Sequence, residues 1–185
     1  LIRIFTKEGR FLSSVGAHGT GDGELNYPWG ITIDHNGDIY IADWRNDRIQ
    51  KFGPNGEFLM KFGGSGQADG EFFRPTSVAV DKDGLIYVTD FKNDRLQVFD
   101  SQGNFVTKLL GEATLSKWGR QRVELEPMMV KGRELAQGLE EREKLFHGPI
   151  GVEVDEDGRV FVIECSRQRM QVFKKQGSIY DGGPL

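Results

Sequence analysis

Two short clusters in this chain join a cation to a side-chain amide: Arg45 with Asn46, and Lys92 with Asn93. Each follows an aromatic residue, Trp44 or Phe91, and precedes an aspartate, Asp47 or Asp94. A third cluster, Cys165 to Gln168, keeps a cation in Arg167 but has no aromatic residue. A fourth basic and aromatic stretch, Lys117 to Arg122, contains Trp118 and Arg120. Aromatic rings beside guanidinium or ammonium groups serve as anchors at protein interfaces and as stacking platforms for bases. Arg45, Asn46, Lys92, Asn93, Arg167, Trp118 and Arg120 are therefore candidate ligand-binding or partner-binding residues. Trp44 and Phe91 have a second possible use, as packing between structural units.

Catalytic candidates are sparser. Glu153 is a carboxylate in an otherwise apolar run, where it could bind a metal or act as a base. No acid, base or nucleophile of evident spacing accompanies it. His18, His35 and His147 fall in three dissimilar contexts and form no ligand-spaced set. Cys165 has Arg167 nearby but no histidine in its own segment, so a structural role is expected for it. Asp34-His-Asn-Gly, Asp81-Lys-Asp-Gly and Asp155-Glu-Asp-Gly echo a calcium loop but lack its remaining oxygen ligands. Turn chemistry explains them, because aspartate caps its own turn and glycine supplies positive φ. No resident metal or cofactor is expected.

The elements that carry these residues repeat. The run from Pro28 to Asp43 returns as Pro75 to Asp90 and again as Pro149 to Glu164. Each copy continues into an Arg-x-Gln-x-Phe segment beginning at Arg48, Arg95 or Arg169. Apolar residues alternate within each run, and Gly/Asn/Asp clusters separate the runs, which predicts antiparallel hairpins. Four short strands per unit is the mark of a β-propeller blade. The fold expected is all-β: an arc of about three and a half four-stranded blades with one helical insertion. Its divisions are a half blade at 1–16, blades at 28–63, 75–110 and 148–181, and an insert at 112–146. The fourth strand of the last blade is expected near Ser178 to Tyr180.

The repeated unit, with Asn-Asp-Arg-(Ile/Leu)-Gln following in two copies, resembles the NHL repeat in its bacterial type. Gly21 to Pro28 and Ala68 to Pro75 resemble the lead-in to its blades. The resemblance covers 1–111 and 147–180. It implies a propeller, usually of six blades, and no particular activity. Members include protein-binding and RNA-binding propellers of tripartite-motif proteins and a zinc-dependent amidating lyase. That lyase places zinc-binding histidine beside the strand-opening proline, where this chain has Trp29, Thr76 and Ile150. The departure argues against a lyase-type zinc site within this arc.

Strand alternation brings the loops between second and third strands, and the crossovers between blades, to one rim. The interval from Pro75 to Pro149 exceeds that from Pro28 to Pro75, and its surplus lies between Glu112 and Phe146. Leu135, Leu139, Arg142 and Phe146 follow helical spacing, so a helix from about Val130 to Leu145 is expected, after a loop bearing Trp118 and Arg120. Pro127 should break any earlier helix, and Gly132 and Gly138 weaken this one.

Composition sets the remaining bounds. A net charge of −4 disfavours a general polyanion binder. One cysteine excludes an internal disulfide framework. No apolar run is long enough for a membrane-spanning helix. The compartment is undetermined. Half a blade at one end and the missing initiating methionine suggest a fragment, or a chain completed by missing blades or by another chain. The functional expectation is a non-catalytic scaffold that takes a protein or other ligand on the loop rim. The alternatives are a channel-centred hydrolase or lyase using Glu153, and a single-stranded RNA binder, which the acidic balance disfavours.

Overall fold

A computed structural model describes residues 1–112, 121, 124–126, 128, 130–132 and 138–175. Strands dominate. β1 (Ile2–Phe5) pairs with β2 (Phe11–Val15). Two four-stranded antiparallel sheets follow. The first is β5 (Pro28–Ile33), β6 (Ile39–Asp43), β7 (Arg48–Phe52) and β8 (Phe58–Phe62), in spatial order. The second is β9 (Pro75–Val80), β10 (Ile86–Asp90), β11 (Arg95–Phe99) and β12 (Phe105–Leu109). The last sheet contains β13 (Pro149–Val154), β14 (Arg159–Glu164) and β15 (Arg169–Lys174). Its expected fourth strand lies outside the described residues. One pairing has no counterpart in the alternation pattern: β3 (Ala17–His18) runs parallel to β4 (Glu24–Leu25) within the lead-in to the first full sheet.

The tight turns confirm the aspartate reading. Asp34 Oδ1 accepts the backbone N–H of Asn36 at 2.9 Å and of Asp38 at 3.0 Å. Asp81 and Asp155 accept the equivalent amides of Asp83 and Leu85, and of Asp157 and Arg159. Each carboxylate thus replaces a bulk-water shell with its own turn. Gly37, Gly84 and Gly158 hold φ of 86°, 84° and 73°, where a side chain would be strained.

Sheets stack through alternate faces of their strands. Tyr40, Ala42 and Ile49 of one sheet meet Val78, Ile86, Val88 and Phe99 of the next in a buried cluster. Tyr87, Leu96 and Val98 meet Val152, Val160 and Val162 in the same way. A third cluster joins Ile2, Ile4 and Val15 to Ile39, Ile41 and Phe52. The innermost strands come closest. A Cβ on Gly30 would stand 2.6 Å from the Thr76 carbonyl oxygen and 2.7 Å from Ser77 Cα, so only glycine fits that crossing of β5 and β9. Together these sheets form an all-β arc of propeller blades.

The linker departs from expectation in detail. A helix in it, α1 (Leu139–Lys144), begins after Gly138, which sits at φ 71°. A left-handed residue cannot continue an α-helix, so the single helix expected from Val130 is interrupted there. Helical residues also occur at 121, 124 and 125, before Pro127, where a loop was expected.

Candidate interaction face

The rim is organised around one carboxylate at the end of each second strand. Asp43 Oδ1 accepts the Asn26 amide at 2.7 Å. Its Oδ2 accepts Arg48 Nε at 2.9 Å, Asn46 Nδ2 at 2.8 Å and Gln50 Nε2 at 3.2 Å. Asp90 repeats the set with Phe73, Arg95, Asn93 and Gln97. Asp43 and Asp90 are fully buried, which such a group tolerates only when its lone pairs are filled.

The arginines then reach outward. Arg48 donates to the carbonyls of Thr20, Gly21 and Glu24. Arg95 donates to those of Gln67, Ala68 and Glu71. Each hub therefore ties a lead-in segment to the blade, beside the buried apolar residue each contributes, Leu25 or Phe72. In the last sheet Glu164 takes the hub position, accepting His147 N–H at 2.7 Å and Gln171 Nε2 at 3.0 Å, and pairing with Arg169. Burial pushes the Glu164 carboxyl up, but these donors and the Arg169 charge outweigh it and hold the group below the usual carboxylate range. Arg169 donates to the carbonyls of Glu143 and Leu145, and Arg167 to those of Arg142, Glu143 and Leu145. Two guanidinium groups thus cap the C-terminal end of α1, where carbonyls lack helical partners. The described end of the linker lies on the same rim as Arg167.

A second device joins neighbouring blades. Asp47 Oδ1 accepts the Arg74 backbone N–H at 2.8 Å, and Asp94 Oδ1 accepts that of Gly148 at 2.7 Å. Both bonds span a blade junction. Asp47, Asp94 and Gln168 are left-handed, as are the residues before each strand-opening proline: Tyr27, Arg74 and Gly148. Non-glycine residues at positive φ are uncommon, and at Arg74 the conformation is held by the bond to Asp47.

With the loops so fixed, cations lie on aromatic faces. The Arg45 guanidinium is 4.2 Å from the Tyr27 ring centre. Arg74 lies 4.7 Å over Trp44 and 5.6 Å from Phe73. Lys92 lies 4.9 Å over Phe91. Such contacts hold a long side chain in place; the charges of Arg45 and Lys92 stay accessible, whereas Arg74 Nη1 donates to the Trp44 and Arg45 carbonyls and to Asp47. Arg45, Lys92 and Tyr27 are exposed. Trp44 is half-buried between Trp29 and Arg74, so it packs at the junction, and its Nε1 is shut from solvent without an acceptor among the described residues. Beside Lys92 an open cleft of about 390 Å³ is lined by Gln67, Asn93, Asp94, Arg95, Lys108 and Leu110.

The candidate residues divide accordingly. Arg45 and Lys92 stand on the rim in equivalent places, each at the centre of a short 3-10 turn. Asn46 and Asn93 turn inward, donating to the Gly19 and Gly66 carbonyls as well as to their hub aspartates. Arg167 is committed to the linker helix. Trp118 and Arg120 lie outside the described residues. Glu153 is exposed on β13 with no hydrogen bond or ion pair among the described residues. His147 Nδ1 lies 3.3 Å from Asp94 Oδ2, while His18 is in β3 and His35 in a hairpin turn. No three His, Cys, Asp or Glu side chains among the described residues are grouped to hold a metal. Tyr27 and Arg74 escaped sequence reasoning. Their signal was their place before the repeated proline.

Comparison with known proteins agrees with this geometry. The NHL repeat model matches residues 25–52 and 72–99. The E3 ubiquitin-protein ligase TRIM71 of Rattus norvegicus is 49% identical over 41 residues, which is 22% of this chain and 5% of that protein. Protein lin-41 of Caenorhabditis elegans is 51% identical over 37 residues, 20% of this chain and 3% of that protein. These matches therefore span a small part of the relatives' length. Among solved structures, a Bacteroides thetaiotaomicron protein of unknown function superposes with TM-score 0.62 at 19% identity, over 92% of this chain and 41% of that one. A virginiamycin B lyase from Staphylococcus aureus superposes with TM-score 0.51 at 15% identity, over 96% of this chain and 49% of that one. Repeated hubs, blade stacking and matched motifs converge: this chain carries NHL repeats, matched at 25–52 and 72–99, on a β-propeller architecture.

Proposed function

We propose that the chain is a non-catalytic interaction scaffold that takes a protein partner on the loop rim. The observation that carries this reading is the pair of exposed, ring-seated cations, Arg45 on Tyr27 and Lys92 on Phe91, at equivalent points of adjacent blades. They are pre-positioned, because the buried hubs and inter-blade bonds fix the backbone beneath them, so little side-chain entropy remains to be lost on binding. Arg45 and Lys92 make the contacts. Asn46, Asn93 and Arg167 shape the loops, and the linker bearing Trp118 and Arg120 adds specificity. The arc is completed by further blades or another chain.

The test has two stages. A photo-crosslinking amino acid placed at Arg45 or Lys92 in native full-length material identifies the partner. Affinity of the purified partner is then compared for the original chain and for Arg45→Ala with Lys92→Ala. Loss on the order of tenfold or more is expected if these are anchors. Unchanged affinity, also after deletion of 114–144, would refute the reading. Single-stranded RNA is the second reading, favoured by the aromatic and cationic pairing and disfavoured by the net charge of −4. Filter binding across salt concentration separates the two, since phosphate contacts weaken steeply with salt.

A further inference from the structure

We infer that Asp94, together with the carbonyls of the Phe91–Lys92 turn, forms a socket for an arginine side chain brought by the protein partner. This rests on the reading above and adds the chemistry that the partner supplies.

The template lies one blade earlier in the same chain. There Asp47 Oδ1 accepts the Arg74 backbone N–H at 2.8 Å and Arg74 Nη1 at 3.4 Å, while its Oδ2 accepts the Ser65 hydroxyl at 2.6 Å. Arg74 Nη1 also donates to the carbonyls of Trp44 and Arg45, at 3.3 and 3.1 Å. The same guanidinium lies over the Trp44 ring. A carboxylate, a pair of turn carbonyls and an aromatic wall together satisfy the charge, the edge donors and the flat face of a guanidinium. With that occupant and Ser65 in place, the Asp47 side chain is only 7% exposed.

The second blade builds the same receptor on the same backbone. Asp47 and Asp94 hold φ/ψ of 51°/44° and 51°/42°, each at the end of a 3-10 turn. Asp94 Oδ1 accepts the Gly148 amide at 2.7 Å, as Asp47 accepts that of Arg74. Phe91 stands in the place of Trp44, and Lys92 Nζ lies 4.9 Å over its ring. Only the occupant differs. Gly148, in the place of Arg74, has no side chain to offer. The segment that supplies Ser65 has no counterpart among the described residues, because the Glu112 amide is bound instead to Gln171 Oε1. Asp94 Oδ2 meets only His147 Nδ1 among the described residues, at 3.3 Å, and the Asp94 side chain is 44% exposed.

The socket opens on the cleft of about 390 Å³ that Lys108, Leu110 and Gln67 also line. Position 148 cannot fill it in cis. A Cβ there would stand 2.7 Å from Ser166 Oγ and 3.0 Å from Cys165 Sγ. The guanidinium therefore enters through the cleft. Lys92 beside it is no obstacle in kind, since Arg45 and Arg74 are neighbours in the same way: Arg45 lies on Tyr27 while its carbonyl accepts Arg74. Arginine suits the place better than lysine, because a planar, weakly hydrated cation can lie against the aromatic wall and donate at its edge.

The test uses the full chain and a small probe, N-acetyl-arginine amide, followed by amide NMR. The Gly148 amide, which donates to Asp94, should shift and saturate in roughly the millimolar range. The citrulline counterpart, of the same shape without the charge, should bind at least about tenfold more weakly. Asp94→Asn keeps an acceptor for the Gly148 amide and tolerates the left-handed backbone, and should weaken the arginine probe by about tenfold or more. Arg74→Gly, at a φ that glycine accepts, vacates the first junction, so a new arginine response should appear at the residue 74 amide. Four results overturn the assignment: no saturable shift, an equal response to citrulline, an undiminished response in Asp94→Asn, or no new response in Arg74→Gly. The citrulline comparison needs no variant, so a variant that fails to fold does not shelter the idea. No partner is needed either. Partner affinity that falls in the Arg45→Ala, Lys92→Ala chain beside a silent arginine titration would sink this inference and leave the rim reading standing.

Discussion

Replacing Arg95 by alanine tests whether the buried hubs hold the rim. Arg95 is 5% exposed and its partner Asp90 is fully buried. The substitution removes the 2.8 Å contact from Nε to Asp90 and three contacts to the carbonyls of Gln67, Ala68 and Glu71. Breaking a buried ion pair by deleting one partner costs about 3–5 kcal/mol, because the remaining charge loses its compensation. Two of the three carbonyls belong to an exposed lead-in that water can reach, so they add less than their full desolvation penalty. A loss of about 4 kcal/mol is expected, a large share of the roughly 5–15 kcal/mol typical of folded proteins. Equilibrium urea melts followed by circular dichroism would report it as a lower midpoint at constant slope. Asp90→Asn supplies the control. Alone it sets an amide donor against Arg95, Asn93 and Gln97, all of which donate to Oδ2, and should be costly. In the Arg95→Ala background it removes the stranded charge, so the double variant should be more stable than the two losses added together. Additivity within about 0.5 kcal/mol, or a loss below about 1 kcal/mol for Arg95→Ala, would refute the hub argument.

Other outcomes follow from the same geometry. Gly30→Ala should cost about 1–3 kcal/mol in a thermal or urea melt, since the new methyl meets backbone atoms of Thr76 and Ser77 that cannot turn aside. Asp47→Ala should cost about 1–2 kcal/mol and speed exchange of the Arg74 amide, whereas Asp47→Asn, which keeps an acceptor and tolerates the left-handed conformation, should cost less than half as much. Glu164 is held below the usual carboxylate range when folded, so its contribution is present above the unfolded value and disappears as pH falls through the folded one. Melting temperature should therefore drop on acidification, with Glu164→Gln flattening that part of the profile.

The blades were legible because hairpin chemistry is local. Alternation from Ile31 to Ile41, broken by Asp34 to Gly37, contains its own strand and turn instructions. The linker was less so, because Gly138 could have been tolerated inside a helix and only the structure shows it left-handed. At the rim, the exposure of Arg45 and Lys92 followed from topology. The inward turn of Asn46 did not, since the carbonyl it satisfies, Gly19, lies far back in the chain. Tyr27 and Arg74 were harder still. A residue before proline is ordinarily pushed toward extended backbone, and their left-handed state arises from a carboxylate across a junction in the case of Arg74.

The joint between blades reads the main-chain amide of Arg74 or Gly148, and at Arg74 the guanidinium adds bonds to Asp47 and to the Trp44 and Arg45 carbonyls. Arg74 and Gly148 could hardly differ more in size and polarity, yet both adopt the same backbone state and donate the same amide at that joint. Assembly and display are thereby partly uncoupled: the main-chain bond that holds neighbouring petals together survives a change of side chain, as Gly148 shows, while the contacts of the Arg74 guanidinium add to it. A scaffold so jointed is free to diversify its contacts without renegotiating its architecture.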